Sequence, residues 1–172
     1  MSTLLQSMQA AIDHHQAGRL EHAEKMYREV LAHSPGQADA MHLIGVLAHQ
    51  QGQHTLAISH IKAAIDKNAK VASYYNNLGA AQRAAGRWAA AAQSFNDSLQ
   101  LEPTSESTWH NLTVVLDQLD DPAMLDDALD RWVLAVPTSA QARQQRAAQH
   151  TAQDRITQAV SDLHMCAQLN PQ

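Results

Sequence analysis

The sequence predicts an all-α solenoid of about five stacked helix–turn–helix hairpins. Composition is the first observation behind this. Alanine, leucine and glutamine fill a chain of 172 residues, while aromatic residues make up 4% and include one Phe. Such side chains lose little rotamer freedom in a helix, whereas β-branched and aromatic ones suit strands. Six Gly and five Pro are too few to supply the turns of an all-β fold. The second observation is a 34-residue period, and the third is a pair of amphipathic stripes within each period.

The period is read from five columns that keep register without an insertion. Pro35, Pro103, Pro137 and Pro171 fall on one 34-residue ladder, with Ala69 on the remaining rung. Seventeen residues before each rung stand Gly18, Gly52, Gly86, Asp120 and Asp154. Twelve before stand Ala23, Ala57, Ala91, Leu125 and Ala159, and eight before stand Tyr27, Ile61, Phe95, Leu129 and Leu163. Four before stand Leu31, Ile65, Leu99, Val133 and Ala167. A fixed period of this length marks a repeat architecture.

The third period shows how one unit works. Tyr75, Leu78, Gly79 and Gln82 are spaced i, i+3, i+4 and i+7, one stripe of a helix near 72–85. Gly86 ends that helix, because glycine takes the left-handed conformation without steric cost. A second stripe runs through Trp88, Ala91, Ala92, Phe95, Ser98 and Leu99 and stops at Glu102-Pro103. Small residues at 79 and 91 let the two helices approach, while Tyr75 and Phe95 fill the wider spaces. One hairpin cannot cover its own apolar face, so neighbours must stack.

Tyr75-Asn76-Asn77-Leu78-Gly79 with Ala91, Phe95 and Pro103 resembles the tetratricopeptide repeat signature. So do Met41, Ile44-Gly45, Gly52, Ala57, Ile61 and Ala64, and the run from Gln16 to Tyr27. The resemblance covers residues 1–172 as a single domain of five units, near 4–37, 38–71, 72–105, 106–139 and 140–172. It implies a right-handed superhelix whose first helices line a concave, peptide-binding groove. The last two units depart from the pattern. In the fourth, Leu125 replaces a small alanine and Trp132 stands where Val30, Ala64, Ser98 and Cys166 stand, which should push helices apart or shift the second one. Asp121-Pro122 still supplies an N-cap followed by proline. In the fifth, Arg143, Arg146 and His150 occupy columns that, Gln82 apart, are apolar in units two to four. That helix is expected to lie on the surface or turn away, as capping repeats do.

Charge and motif content narrow the function classes. The net charge is −5, and residues 106–139 carry −6 of it while the rest nets +1. No basic stripe serves nucleic-acid binding. The acidic flank is read as a solvated surface, with steering of a basic partner as the alternative. No apolar run approaches a membrane span. The start lacks a signal peptide, and Cys166 alone excludes an internal disulfide, so the expected location is cytoplasmic. Eleven histidines raise the question of metal, but they are scattered over different helices and Cys166 has no CxxC partner. GxSxG, P-loop and GxGxxG motifs are absent, and helix dipoles explain Asp120-Asp121 and Asp126-Asp127. No catalytic residue, metal or cofactor is expected. Cys166 falls in a small-residue column and reads as a buried, inert thiol.

Carried over by position, the resemblance puts three columns in the groove. One reads Met8, His42, Asn76, His110, Gln144; the next reads Gln9, Leu43, Asn77, Asn111, Gln145; a third reads His15, His49, Arg83, Asp117, Thr151. Amides both donate and accept, so a row of them can bond an extended peptide backbone. The predicted site is therefore His15, His42, His49, Asn76, Asn77, Arg83, His110 and Asn111. The alternative is that these are ordinary polar residues on amphipathic helices. The family's carboxylate clamp would fall on Met8, Ile12, Leu43, Ser73 and Asn77, or on His42, Val46, Asn77, Ser107 and Asn111. Neither frame holds a cation, so a clamp is not expected. The Asn row also resembles the repeats that precede the catalytic domain of O-linked N-acetylglucosamine transferases and their bacterial relatives. Three functions follow as expectations: a scaffold for a protein or extended peptide, the substrate-docking segment of a larger transferase, or a module that self-associates through its terminal repeats. On the last helix Ile156, Ala159, Val160, Leu163, Cys166 and Ala167 form the stripe expected to pack inward. Met165 and Leu169 fall outside it, which suggests a cut chain or a self-association surface.

Overall fold

The computed structural model describes residues 4–169. The ladder residue Pro171 lies outside them. Each 34-residue period becomes one hairpin, and among the described residues there is no strand. The hairpins are α1 (Leu4–Gln16) with α2 (Leu20–His33), α3 (Ala38–Gln50) with α4 (His54–Lys67), and α5 (Ala72–Ala84) with α6 (Trp88–Leu101). Then follow α7 (Glu106–Gln118) with α8 (Pro122–Ala135), and α9 (Ala140–Ala152) with α10 (Ile156–Leu169). The turns have one cause. Gly18, Gly52 and Gly86 have φ of +72, +76 and +71°, and Asp120 and Asp154 follow at +54 and +59°. The left-handed residue lets the next N–H turn back on the helix end, as in Arg19 N–H to His14 O at 2.9 Å and Arg87 N–H to Gln82 O at 2.8 Å.

The chain divides into two compact units, Met1–Leu101 and Glu102–Gln172. In the first, Tyr27 and Val30 of α2 are buried with Ala40, Ile44 and Leu47 of α3. Ile61 and Ala64 of α4 are buried in turn with Tyr74, Leu78 and Ala81 of α5. The small residues are there because the helices touch. A Cβ on Gly45 would lie 2.6 Å from Ile61 Cγ1, and one on Gly79 would lie 2.7 Å from the Phe95 ring. One expectation is corrected here. Tyr75 is only half-buried, and the aromatic that fills the core is Tyr74. The 3.6-residue stripe does not separate the two neighbours, but packing against α4 selects Tyr74, whose hydroxyl donates to Asp39 on α3.

In the second unit Leu112, Val115 and Leu116 of α7 and Leu129 and Trp132 of α8 are buried. Trp109 donates to Pro103 O at 2.8 Å, and the Arg131 guanidinium lies 5.2 Å from the centre of its ring. Asp121 caps α8 by accepting from Met124 N–H at 3.0 Å, with Pro122 in the first turn. The fifth hairpin corrects two expectations. Arg143, Arg146 and His150 do not leave the surface free; they converge on Asp162 of α10, which is 3% exposed. Arg146 grips it with two bonds, Nε at 2.9 Å and a terminal nitrogen at 2.6 Å, and reaches Asp130 at 2.9 Å. Arg155 likewise pairs with Asp126 at 2.7 Å. Part of the acidic flank is thus ion-paired rather than merely solvated, and a charged cluster replaces apolar packing. Consequently α10 buries Ala159, Asp162 and Cys166. Ile156, Val160, Leu163 and Ala167, expected to pack inward, are exposed, while Met165 and Leu169 are half-buried. Cys166 is buried as expected, its thiol pushed up in pKa by burial and then by Asp162.

Candidate functional site

Because the period is 34 residues, positions 5, 39 and 73 stand in one register on α1, α3 and α5, and 8 with 42 and 9 with 43 in the next. Around these rows the first unit holds a hollow of about 570 Å³. Its walls are apolar, from Leu4, Leu5, Met8 and Ile12 of α1, Leu43 of α3 and Val71 before α5. Gln9, Gln37, His42, Ser73 and Tyr74 add polar groups, and Asp39 carries the one carboxylate among the lining residues. Met8, Ile12, Leu43 and Ser73 are four of the positions on which a carboxylate clamp would fall. Met8, Ile12 and Leu43 offer apolar contact there, Ser73 offers a hydroxyl, and none offers a cation.

His42 sits in the wall with 7% exposure. Asn77 donates to its Nε2 at 2.8 Å, and its ring centre lies 4.5 Å from that of Tyr74. Burial pulls its pKa down to about 4, against the opposite pull of Asp39. A neutral ring with Nε2 accepting places its proton on Nδ1. The Tyr74 hydroxyl is pushed up by burial and by its bond to Asp39.

The remaining predicted residues are less concentrated. His15 is half-buried and pairs with Gln50 at 3.0 Å and with the Tyr27 hydroxyl at 3.4 Å. His49 faces His54, their Nδ1 atoms 3.1 Å apart. Its pKa is lowered by burial, then by His54 and Arg83. Asn76 and Arg83 are half-buried on α5. In the second unit Asn111 is half-buried, while exposed His110 accepts from Gln145 at 3.0 Å and Gln141 at 3.3 Å. Gln145 also accepts from Thr113 at 2.8 Å.

A spacing absent from the sequence reading links these contacts. His15 with Gln50, Asp39 with Tyr74, His42 with Asn77, and His110 with Gln145 are all separated by 35 residues. Within each unit, α1 is therefore stapled to α3, α3 to α5 and α7 to α9 by a residue one period and one step further along. The imidazoles and amides read as peptide-facing donors are in part spent on holding hairpins together. The signal was present in the columns, but only as pairs between adjacent columns rather than as rows within one. Among the described residues no group of three metal-ligating side chains converges, and no helix is long and apolar enough to cross a membrane.

Comparison with known proteins fits this construction. A tetratricopeptide repeat family model matches residues 8–70 and 56–106. The human tetratricopeptide repeat protein 7B is 33% identical over 88 residues, 51% of this chain and 10% of that protein. The chain thus spans about a tenth of the length of the curated relatives it matches. Among solved structures, that of MamA aligns with TM-score 0.80 at 17% identity, covering 96% of this chain and 91% of MamA. The structure of YrrB, described as a tetratricopeptide repeat protein with an unusual peptide-binding site, aligns with TM-score 0.74 at 13% identity, covering 96% of this chain and 85% of YrrB. Likeness at these identities shows the fold.

Proposed function

The chain belongs to the tetratricopeptide repeat family, and we propose that it is a non-catalytic scaffold whose first unit binds a partner peptide through an apolar side chain. The observation that carries this is the hollow on α1, α3 and α5, walled by Met8, Ile12 and Leu43 and holding Asp39 as its single carboxylate. An apolar pocket with a few placed polar groups is the usual form of a ligand site. The peptide-binding site of the YrrB structure supports the same use of this fold. Burial of an anchor side chain supplies affinity, and Gln9, Gln37 and Ser73 orient the peptide backbone. Asp39 favours a neutral or basic peptide and opposes an acidic terminus. Asn77 then acts through His42, holding the wall of the hollow, more than by direct contact with the peptide.

A peptide display selection against the whole chain tests the proposal. Selected sequences should share a large apolar residue with neutral or basic neighbours, and Leu43→Asp should abolish their binding with helical content unchanged. Selection of acidic sequences, or binding that survives Leu43→Asp, contradicts it.

A further inference from the structure

We propose that the turn between α3 and α4 binds a divalent transition-metal ion of the zinc, nickel and copper class, chelated by Nδ1 of His49 and Nδ1 of His54. The backbone of the turn fixes both residues. His49 stands in the last turn of α3, Gly52 reverses the chain at φ +76°, and Gln53 N–H returns to Ala48 O at 2.8 Å, which sets His54 at the start of α4. The two side chains meet across this corner, both half-buried, with their Nδ1 atoms 3.1 Å apart. Two histidines separated by four residues match a spacing that zinc sites use.

The ring placement favours a shared ion over a collinear hydrogen bond. Two nitrogens 3.1 Å apart, each at a metal bond of about 2.05 Å, subtend about 98° at the ion, between the square-planar and tetrahedral angles. Nδ1 atoms aimed straight at each other over that separation would hold the ring centres about 5.4 Å apart. Rings turned toward one ion would hold them about 4.8 Å apart. The observed distance is 5.0 Å, at an interplanar angle of 52°. The lone-pair axes are thus bent off the line joining the nitrogens, as a shared ion requires.

Nothing in the repeat demands this pair. In the same two columns the other hairpins carry His15 and Leu20, Arg83 and Trp88, Asp117 and Pro122, and Thr151 and Ile156, and each closes the same left-handed turn. His49 also stands in the form a metal takes. Its pKa is lowered by burial, then by His54 and by Arg83 on α5, so the ring is neutral at pH 7. The neutral pair shares one Nδ1 proton. On binding, that proton moves to Nε2 of its own ring, both Nδ1 lone pairs go to the metal, and no net proton is released. Arg83 is the charged group acting on the pair from the next hairpin, and it weakens the hold on a dication. Among the described residues no third His, Cys, Asp or Glu joins the two. Water therefore completes the coordination sphere, and the site is exchangeable, of micromolar strength, unlike the closed ligand set of a structural zinc site.

Zinc(II) titrated into the whole chain at pH 7, followed by calorimetry and by nitrogen-15 NMR of the imidazoles, tests this. One ion per chain should bind saturably, and the melting temperature should rise with free zinc. The Nδ1 signals of His49 and His54 should shift together, while those of the stacked rings of His14 and His22 stay in place. His54→Gln should abolish the saturable phase with circular dichroism unchanged, and His14→Gln combined with His22→Gln should leave it intact. Zinc binding by the His54→Gln variant equal to the parent's, shifts that fall on other histidines, or no saturable binding at millimolar zinc would each overturn the proposal.

Discussion

A single methyl group added at Gly79 probes the closest approach of α5 and α6. A Cβ there meets three ring carbons of Phe95 at 2.7, 2.8 and 2.9 Å, where carbon atoms ordinarily rest about 3.5–4.0 Å apart. Phe95 is 0% exposed, so its ring has nowhere to swing. Two effects oppose each other. Alanine is the better helix former by about 1 kcal/mol, while overpacking a dense core costs about 1–3 kcal/mol. Three simultaneous contacts with a rigid ring place the cost at the upper end, leaving a net loss of about 2 kcal/mol. For a chain of this size that lowers the melting temperature by roughly 4–8 °C. Thermal and urea unfolding followed by circular dichroism would measure it. A cycle with Phe95→Leu should recover at least about 1 kcal/mol of coupling, since the smaller side chain vacates the space. A Gly79→Ala variant that melts higher than the parent, or a cycle with no coupling, would refute the helix contact.

Three further outcomes follow from the same structure. Asp162→Ala removes the buried carboxylate under Arg143, Arg146 and His150, leaves Arg146 only the exposed Asp130, and should cost about 3 kcal/mol, whereas Asp130→Ala removes an exposed carboxylate and leaves Arg146 bound to Asp162, and should cost under about 1 kcal/mol; urea midpoints of the two variants decide. Asp120→Gly relieves a left-handed backbone at φ +54° and should raise stability by about 1 kcal/mol, with an unchanged or lower melting temperature counting against it. His42 is depressed in the folded state from 6.5 to about 4, so its contribution is complete above the ordinary value. The unfolded chain takes up the proton first, and up to about 3 kcal/mol is lost as pH falls from 6.5 to 4. His42→Gln should flatten stability between pH 6.5 and 5, above the carboxylate range, and an unaltered slope would show that His42 is not buried neutral.

The hairpins were legible in the sequence because their causes are local. Gly18, Gly52 and Gly86 mark left-handed turns, and small residues at 79 and 91 mark a helix contact, whatever lies elsewhere in the chain. The aromatic of α5 was misread because Tyr74 and Tyr75 are adjacent, and only the position of α4 decides between them. The fifth hairpin was misread for a different reason. Arg143, Arg146 and His150 look solvent-facing until Asp162, sixteen residues beyond Arg146, is brought beneath them. A stripe such as Ile156, Val160 and Leu163 reads as core on any single helix, yet burial requires a neighbour on that side, and periodicity carries no information about one. The hollow was not legible: the polar rows at 42, 77 and 110 gave no sign of its apolar walls or of the 35-residue staples that use those groups.

Methyl-resolved NMR of the whole chain, titrated with a peptide taken from the display selection, tests the peptide-binding claim most directly. The account predicts that the methyl signals of Met8, Ile12, Leu43 and Val71 shift together and saturate with one peptide per chain, while Leu56 on the outer face of α4 stays in place. Saturable binding that moves Leu56 and leaves Met8 and Leu43 unmoved would contradict it.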